Sequence, residues 1–220
     1  LDPTGPTVLT EEREVVHVQV VPREAGKARF VSDLGAFKIG KSFGAALFAA
    51  GFAAIPNARA SLVGLEYDIC EPEFSYLCEF LLSERGMNLT ATSLQNRPRD
   101  GKMWMDLPNG ARYEAKSWER KDSLKGKEIN LYLYCEAYQL PGLECFTGFS
   151  QNLRARRGLA YFATTPDRPW VKELHELGHG ADPEWHCVCN IPAEVNPFTF
   201  DPVSKARDVN LMTREKYEIH

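Results

Sequence analysis

The chain has 220 residues, 44% of them hydrophobic and 25% charged, with a net charge of -4 and a pI near 5.8. That length and balance suit one soluble α/β domain with a full core, and the slight acidity removes any global attraction to nucleic acid, leaving such contacts to local basic patches. No apolar run reaches the length of a membrane span, no secretory leader stands ahead of the domain, and the six scattered cysteines are expected to be reduced cytosolic thiols.

Residues 14–21, which include Gln19, read as a strand with polar alternation. The apolar run 28–34 is strand-like and leads into Gly35-Ala36-Phe37-Lys38-Ile39-Gly40-Lys41-Ser42, which completes the pattern G-x-x-x-x-G-K-[ST]. Glycines in such a loop let the backbone fold round a polyphosphate, the lysine reaches the outer phosphates, and the hydroxyl after it is placed to hold Mg²⁺. The Ala-, Leu- and Phe-rich stretch 43–54 then reads as a buried helix whose positive end meets the anion.

Further along, short buried strands are expected at 60–65, 129–135 and 159–164, and helices at 73–85, 143–154 and 170–177. This alternation predicts a parallel sheet covered on both faces. Residues 102–105 and 111–117, joined through Asn109-Gly110, read as an antiparallel hairpin that either mixes the sheet or forms a small appendage. The basic clusters are Arg154-Ala155-Arg156-Arg157 and Arg120-Lys121 with Lys125 and Lys127. No repeat or linker interrupts the chain, so one domain is expected over residues 1–220. A start at Leu1 rather than Met, and an end at His220 inside a charged, helix-like run, read as cut points.

A second pattern, His175-Glu176-Leu177-Gly178-His179, is H-E-x-x-H, which on a helix offers two imidazoles to zinc with Glu176 as general base, the arrangement of a zinc peptidase. It arises by chance about as often as the glycine-rich loop. Gly178 and Gly180 flank the second histidine, so the helix is expected to end there. His186 lies one residue beyond the place a third ligand occupies in the extended zinc motif, and Asp182 stands where that motif has glycine. Asp106 with Glu114-Ala115-Lys116 imitates the D...E-x-K metal site of nucleases, although the hairpin gives it a structural explanation. The glycine-rich loop has better company: the hydrophobic strand Leu131-Tyr132-Leu133-Tyr134-Cys135 ends in Glu136, where NTPases of this type keep the carboxylate that polarises the attacking water.

The order of motifs resembles one family, the large terminase subunits of tailed bacteriophages, ATP-driven motors that package DNA into procapsids. Gly35 to Ser42 resembles their Walker A loop, Asn109 to Ser117 their "NGS" hairpin strand, Ser123-Leu124-Lys125-Gly126 their "LRG" turn, and Leu131 to Ala137 with Leu140-Pro141 their Walker B segment. Gly158 to Pro166 resembles the "STP" coupling motif, Asp182 to Trp185 and Asn196-Pro197 the strand and "DNP" loop after it, and Thr213 to Tyr217 the terminal "FRQEY". The resemblance implies a P-loop NTPase of the ASCE type, with a mainly parallel central sheet flanked by helices and an antiparallel hairpin. It implies nucleotide binding by Gly35, Lys38, Gly40, Lys41, Ser42 and Gln19, catalysis by Glu136, Lys41 and Lys125, Mg²⁺ on Ser42, and coupling through Thr164 and Thr165. ATP and Mg²⁺ would be the cofactors. The partners would be double-stranded DNA, the portal protein, the small terminase subunit and further copies in a ring, in the host cytoplasm at the procapsid and away from membranes. The family's C-terminal nuclease has no counterpart in the chain.

Two departures stand out. Cys135 occupies the place of the Walker B aspartate, and a soft thiol is a poor partner for Mg²⁺ or its waters, so metal affinity is expected to be weak unless another carboxylate substitutes. A domain that binds nucleotide or DNA without hydrolysis is the alternative this cysteine keeps open. Lys125 stands where some members carry a trans-acting arginine, and lysine lacks the planar bidentate contact; Arg120 or an arginine of 154–157 could serve instead.

Overall fold

The computed structural model describes residues 28–35 and 39–191. Eight strands form one sheet: β1 (Phe30–Gly35), β2 (Arg59–Gly64), β3 (Ser93–Arg97), β4 (Lys102–Asp106), β5 (Arg112–Ser117), β6 (Leu131–Cys135), β7 (Leu159–Thr164) and β8 (Trp185–Ile191). Their spatial order is β3-β4-β5-β2-β6-β7-β1-β8. From β5 to β8 every neighbouring pair is parallel, while β4 runs antiparallel to both its neighbours, β3 and β5. The expected hairpin therefore extends the main sheet, with Met105 opposite Tyr113 and Asp106 opposite Arg112.

The central strands alternate between two cores, as the period of two demands. Leu131, Leu133 and Cys135 face a core shared with α1 (Lys41–Ala50) and α2 (Glu71–Leu82), built from Ala45, Ala46, Ala49, Phe74, Leu77 and Leu81. Tyr132 and Tyr134 face the opposite core, where Phe146, Phe162 and Trp185 pack with Leu174 of α4 (Val171–His179). That second core is aromatic: the Tyr134 and Phe162 rings stack at 4.7 Å, and Phe146 meets Trp185 edge-on at 5.5 Å.

Three expectations change in detail. The helix anticipated over 143–154 is instead a single turn, α3 (Glu144–Thr147), followed by a 3₁₀ turn at Ser150–Leu153. Gly148 ends the first segment, and Asn152 turns inward to donate to the Leu124 carbonyl and the Tyr132 hydroxyl, both at 2.8 Å. The helix after the glycine-rich loop begins two residues early, at Lys41, and tightens into a 3₁₀ turn at Gly51–Ala54. Strand β3 has no apolar signature; its Ser-Leu-Gln-Asn-Arg sequence lies at the edge of the sheet, largely exposed, and is recruited by pairing with β4.

Candidate nucleotide site

Because β1, β2, β5, β6, β7 and β8 point the same way, their C-terminal ends share one edge of the sheet, where ligands of open α/β sheets bind. Gly35 at the end of β1, Glu136 after β6 and Thr164 at the end of β7 all lie along it. β7 stands between β1 and β6, the strand that Glu136 follows.

Gly35 closes β1 and Gly40 caps α1 in the left-handed region at φ 96°, a conformation only glycine adopts without strain. This sets Lys41 and Ser42 in the first turn of α1. Lys41 is buried, and its ammonium donates to the Gly35 carbonyl at 2.9 Å. Burial pulls the Lys41 pKa down, opposed by the negative charges of Glu136, Asp33 and Glu73. The lysine thus sits among acidic groups from β1, α2 and the turn after β6.

Each carboxyl is itself held above its usual range. Glu136 is raised by burial, partly offset by Lys41, and its Oε2 has no hydrogen-bond partner. It adopts the left-handed region at φ 43°, unusual for a residue with a side chain, and this turns the chain sharply off the end of β6. Asp33 is raised by burial although Tyr161 donates to its Oδ2 at 3.0 Å and Lys41 lies near. Glu73, 1% exposed, is raised by burial and by Glu136, against hydrogen bonds with the Ser42 and Cys135 side chains. Neither Asp33 nor Glu73 was picked out as a site residue in the sequence; the available signal was a charged residue on an otherwise buried strand or helix stripe.

Thr164 and Thr165 are fully buried. The Thr164 hydroxyl accepts the Tyr138 N–H at 2.8 Å, two residues past Glu136, and donates to the Thr165 carbonyl at 3.3 Å. The end of β7 is thereby tied to the turn that carries Glu136. Lys125 is exposed and pairs with Asp122 at 2.6 Å, and it is not among the charges acting on Lys41 or Glu136. Lys38 and Gln19 lie outside the described residues.

The competing motifs fit structural roles. His175 and His179 stack on α4 with ring centroids 4.3 Å apart, and the helix stops at His179, with Gly180 after it in an extended conformation. Gly178 is there for packing: a Cβ on it would run into Cys187 of β8. Glu176 pairs with Lys172 at 3.4 Å, and among the described residues no three His, Cys, Asp or Glu side chains are grouped to hold a metal. On the hairpin, Asp106 is neutralised by Arg112 at 3.0 Å, and Glu114 by Lys127 at 2.7 Å and Lys116 at 3.0 Å. Burial would raise Glu114, but Lys127 and Lys116 more than offset it and hold the carboxyl below its usual range. Among the described residues no helix is long and apolar enough to cross a membrane.

A glycine cap ahead of a buried lysine, beside an acidic turn one strand removed, is the arrangement of a P-loop-type fold. No family model and no curated protein matches the sequence. Solved structures do. The large terminase ATPase domain of Thermus phage P74-26 superposes with a TM-score of 0.57 at 19% identity, covering 71% of this chain and 68% of that one. A point mutant of that domain gives 0.68 at 17% identity over 86% and 85%. The large terminase of another thermophilic bacteriophage, in complex with ADP, gives 0.57 at 14% identity over 84% of this chain and 45% of that protein, so the chain spans about half its length. The fold is that of large terminase ATPase domains, as the order of motifs implied.

Proposed function

We propose that this chain is the motor domain of a large terminase, hydrolysing ATP to drive double-stranded DNA into a procapsid. The observation that carries this reading is the juxtaposition of Lys41, set by the Gly40 cap, with Glu136, whose buried Oε2 has no partner and whose charge acts on that lysine. The Ser42 hydroxyl and the Glu73 carboxylate beside it are hard oxygen donors of the kind Mg²⁺ takes together with phosphate oxygens, and the buried ammonium suits phosphate. The cation would supply charge neutralisation between phosphates.

In this reading Lys41 exchanges the Gly35 carbonyl for the outer phosphates. Glu136 orients a water for in-line attack on the γ-phosphate and draws on its proton. Lys125, exposed, acts on a neighbouring subunit's site, as a ring of copies would require. Thr164 passes loss of the γ-phosphate to β7 through its bond to Tyr138. The exposed Arg120, Arg154 and Arg157 offer contacts to DNA phosphates, sequence-independent and salt-sensitive. The domain would act as one part of a longer subunit, with portal protein and small terminase subunit at the procapsid in the host cytoplasm. Lys41→Ala and Glu136→Ala should each abolish ATP hydrolysis while leaving the circular dichroism spectrum intact; full turnover in either variant rejects the assignment.

Cys135 favours one second reading, a domain that binds nucleotide and does not hydrolyse it. The same ATPase measurement on the wild-type protein, free and assembled into a ring, separates the two.

A further inference from the structure

On α2 the buried stripe runs Cys70, Glu73, Phe74, Leu77 and Leu81, spaced as a helix face turned to a core. Four of these are apolar. The fifth is a carboxylate that is 1% exposed, with Oε2 lacking any hydrogen-bond partner, in a position where an apolar side chain would cost nothing. Its surroundings say what it is for. The first turn of α2 lies against the same face of the sheet as Cys135, and the Glu73 carboxyl meets two side chains, the Ser42 hydroxyl and the Cys135 thiol. Those are the residue expected to hold Mg²⁺ and the residue that stands where such sites keep an aspartate.

We propose that Glu73 is the carboxylate that supports the divalent cation of this site, reaching from α2 to the place that position 135 would otherwise fill from β6. The proposal rests on the nucleotide-binding reading given above. A carboxylate is a hard oxygen donor of the kind Mg²⁺ selects, whereas a thiol is not, and Mg²⁺ in phosphate sites takes one or two carboxylates, directly or through its waters, with the substrate's oxygens. A cysteine on β6 where such sites keep an aspartate leaves a negative charge missing at the strand end. A glutamate on the facing helix restores that charge beside Ser42.

The test is isothermal titration of ADP into the protein with and without Mg²⁺, the readout being the ratio of the two affinities within each variant. In the wild type Mg²⁺ should tighten ADP binding at least tenfold. Glu73→Gln, nearly isosteric and relieved of a buried charge, should lose that gain, and adding Cys135→Asp to it should recover the gain. Mn²⁺ bound in the ADP complex, followed by electron paramagnetic resonance, should track the same order. Should Glu73→Gln not fold by circular dichroism, Glu73→Asp, which keeps the charge and shortens the reach, should reduce the ratio. An unchanged Mg²⁺ effect in the folded Glu73 variant overturns the proposal and leaves nucleotide binding standing. A wild type that binds no ADP removes the reading on which it rests.

Discussion

Glu136 combines a strained backbone with a buried, unpartnered oxygen. A non-glycine residue held at φ 43° costs about 1–3 kcal/mol, and its buried Oε2 has no hydrogen bond to offset that. Glu136→Gly should therefore raise the melting temperature, by about 1 kcal/mol of stability, while eliminating hydrolysis; a fall in both would mean the glutamate holds the turn together. The acidic cluster also fixes a pH dependence. Asp33, Glu73 and Glu136 have folded-state pKa values above their ordinary 3.8, 4.5 and 4.5, so the folded protein keeps protons that the unfolded chain has lost. Their contribution is fully present below the ordinary values and is lost as pH rises through the raised ones. Urea unfolding of the nucleotide-free protein should show stability falling on that rise, and Glu73→Gln should flatten the slope. Lys41, Ser42 and Glu136 were singled out as candidates in the sequence because each stands in a motif with a mechanism. Glu73 was not, since an acidic residue in the first turn of a helix normally reads as a surface partner of the dipole, and only the packing of α2 turns it inward.

At the scale of elements, close approach and cross-links carry the arrangement. Gly178 lets α4 lie against β8, where a methyl group would overlap Cys187. Gly178→Ala should destabilise the fold by about 2 kcal/mol in denaturant titrations, with no zinc content before or after. The Thr164 hydroxyl bound to the Tyr138 N–H ties β7 to the turn that carries Glu136. Thr164→Val preserves shape and removes that bond, so ADP affinity should hold while DNA-stimulated turnover falls; equal loss of both would assign Thr164 to nucleotide binding instead. Strands β1, β2, β6 and β7 were readable as apolar runs because both their faces are covered. β3 was not readable, since an exposed edge strand owes its form to its partner's backbone and leaves no hydrophobic period behind. The segment 143–154 has helical spacing, yet the inward hydrogen bonds of Asn152 break it, a demand set by Leu124 and Tyr132 far away in the chain.

For the molecule as a whole, alternating strands and helices announced a parallel sheet, but strand order is a matter of long-range pairing that local pattern does not encode. The order found puts β1 between β7 and β8, its backbone joined to residues more than a hundred positions later. Trp185, buried against Phe30 with centroids 4.9 Å apart, anchors the outer of these partners. Trp185→Ala should cost about 4 kcal/mol and abolish ADP binding together with the cooperative unfolding transition, since the loop strand loses its flank. The same pairing orders events at the ribosome. As the chain emerges, the 102–117 hairpin can close at once and β6 can meet β7 soon after, while β1 waits beside no one until the last strands leave the exit tunnel. Under the function proposed above, a chain cut short before β7 should therefore fail to bind nucleotide.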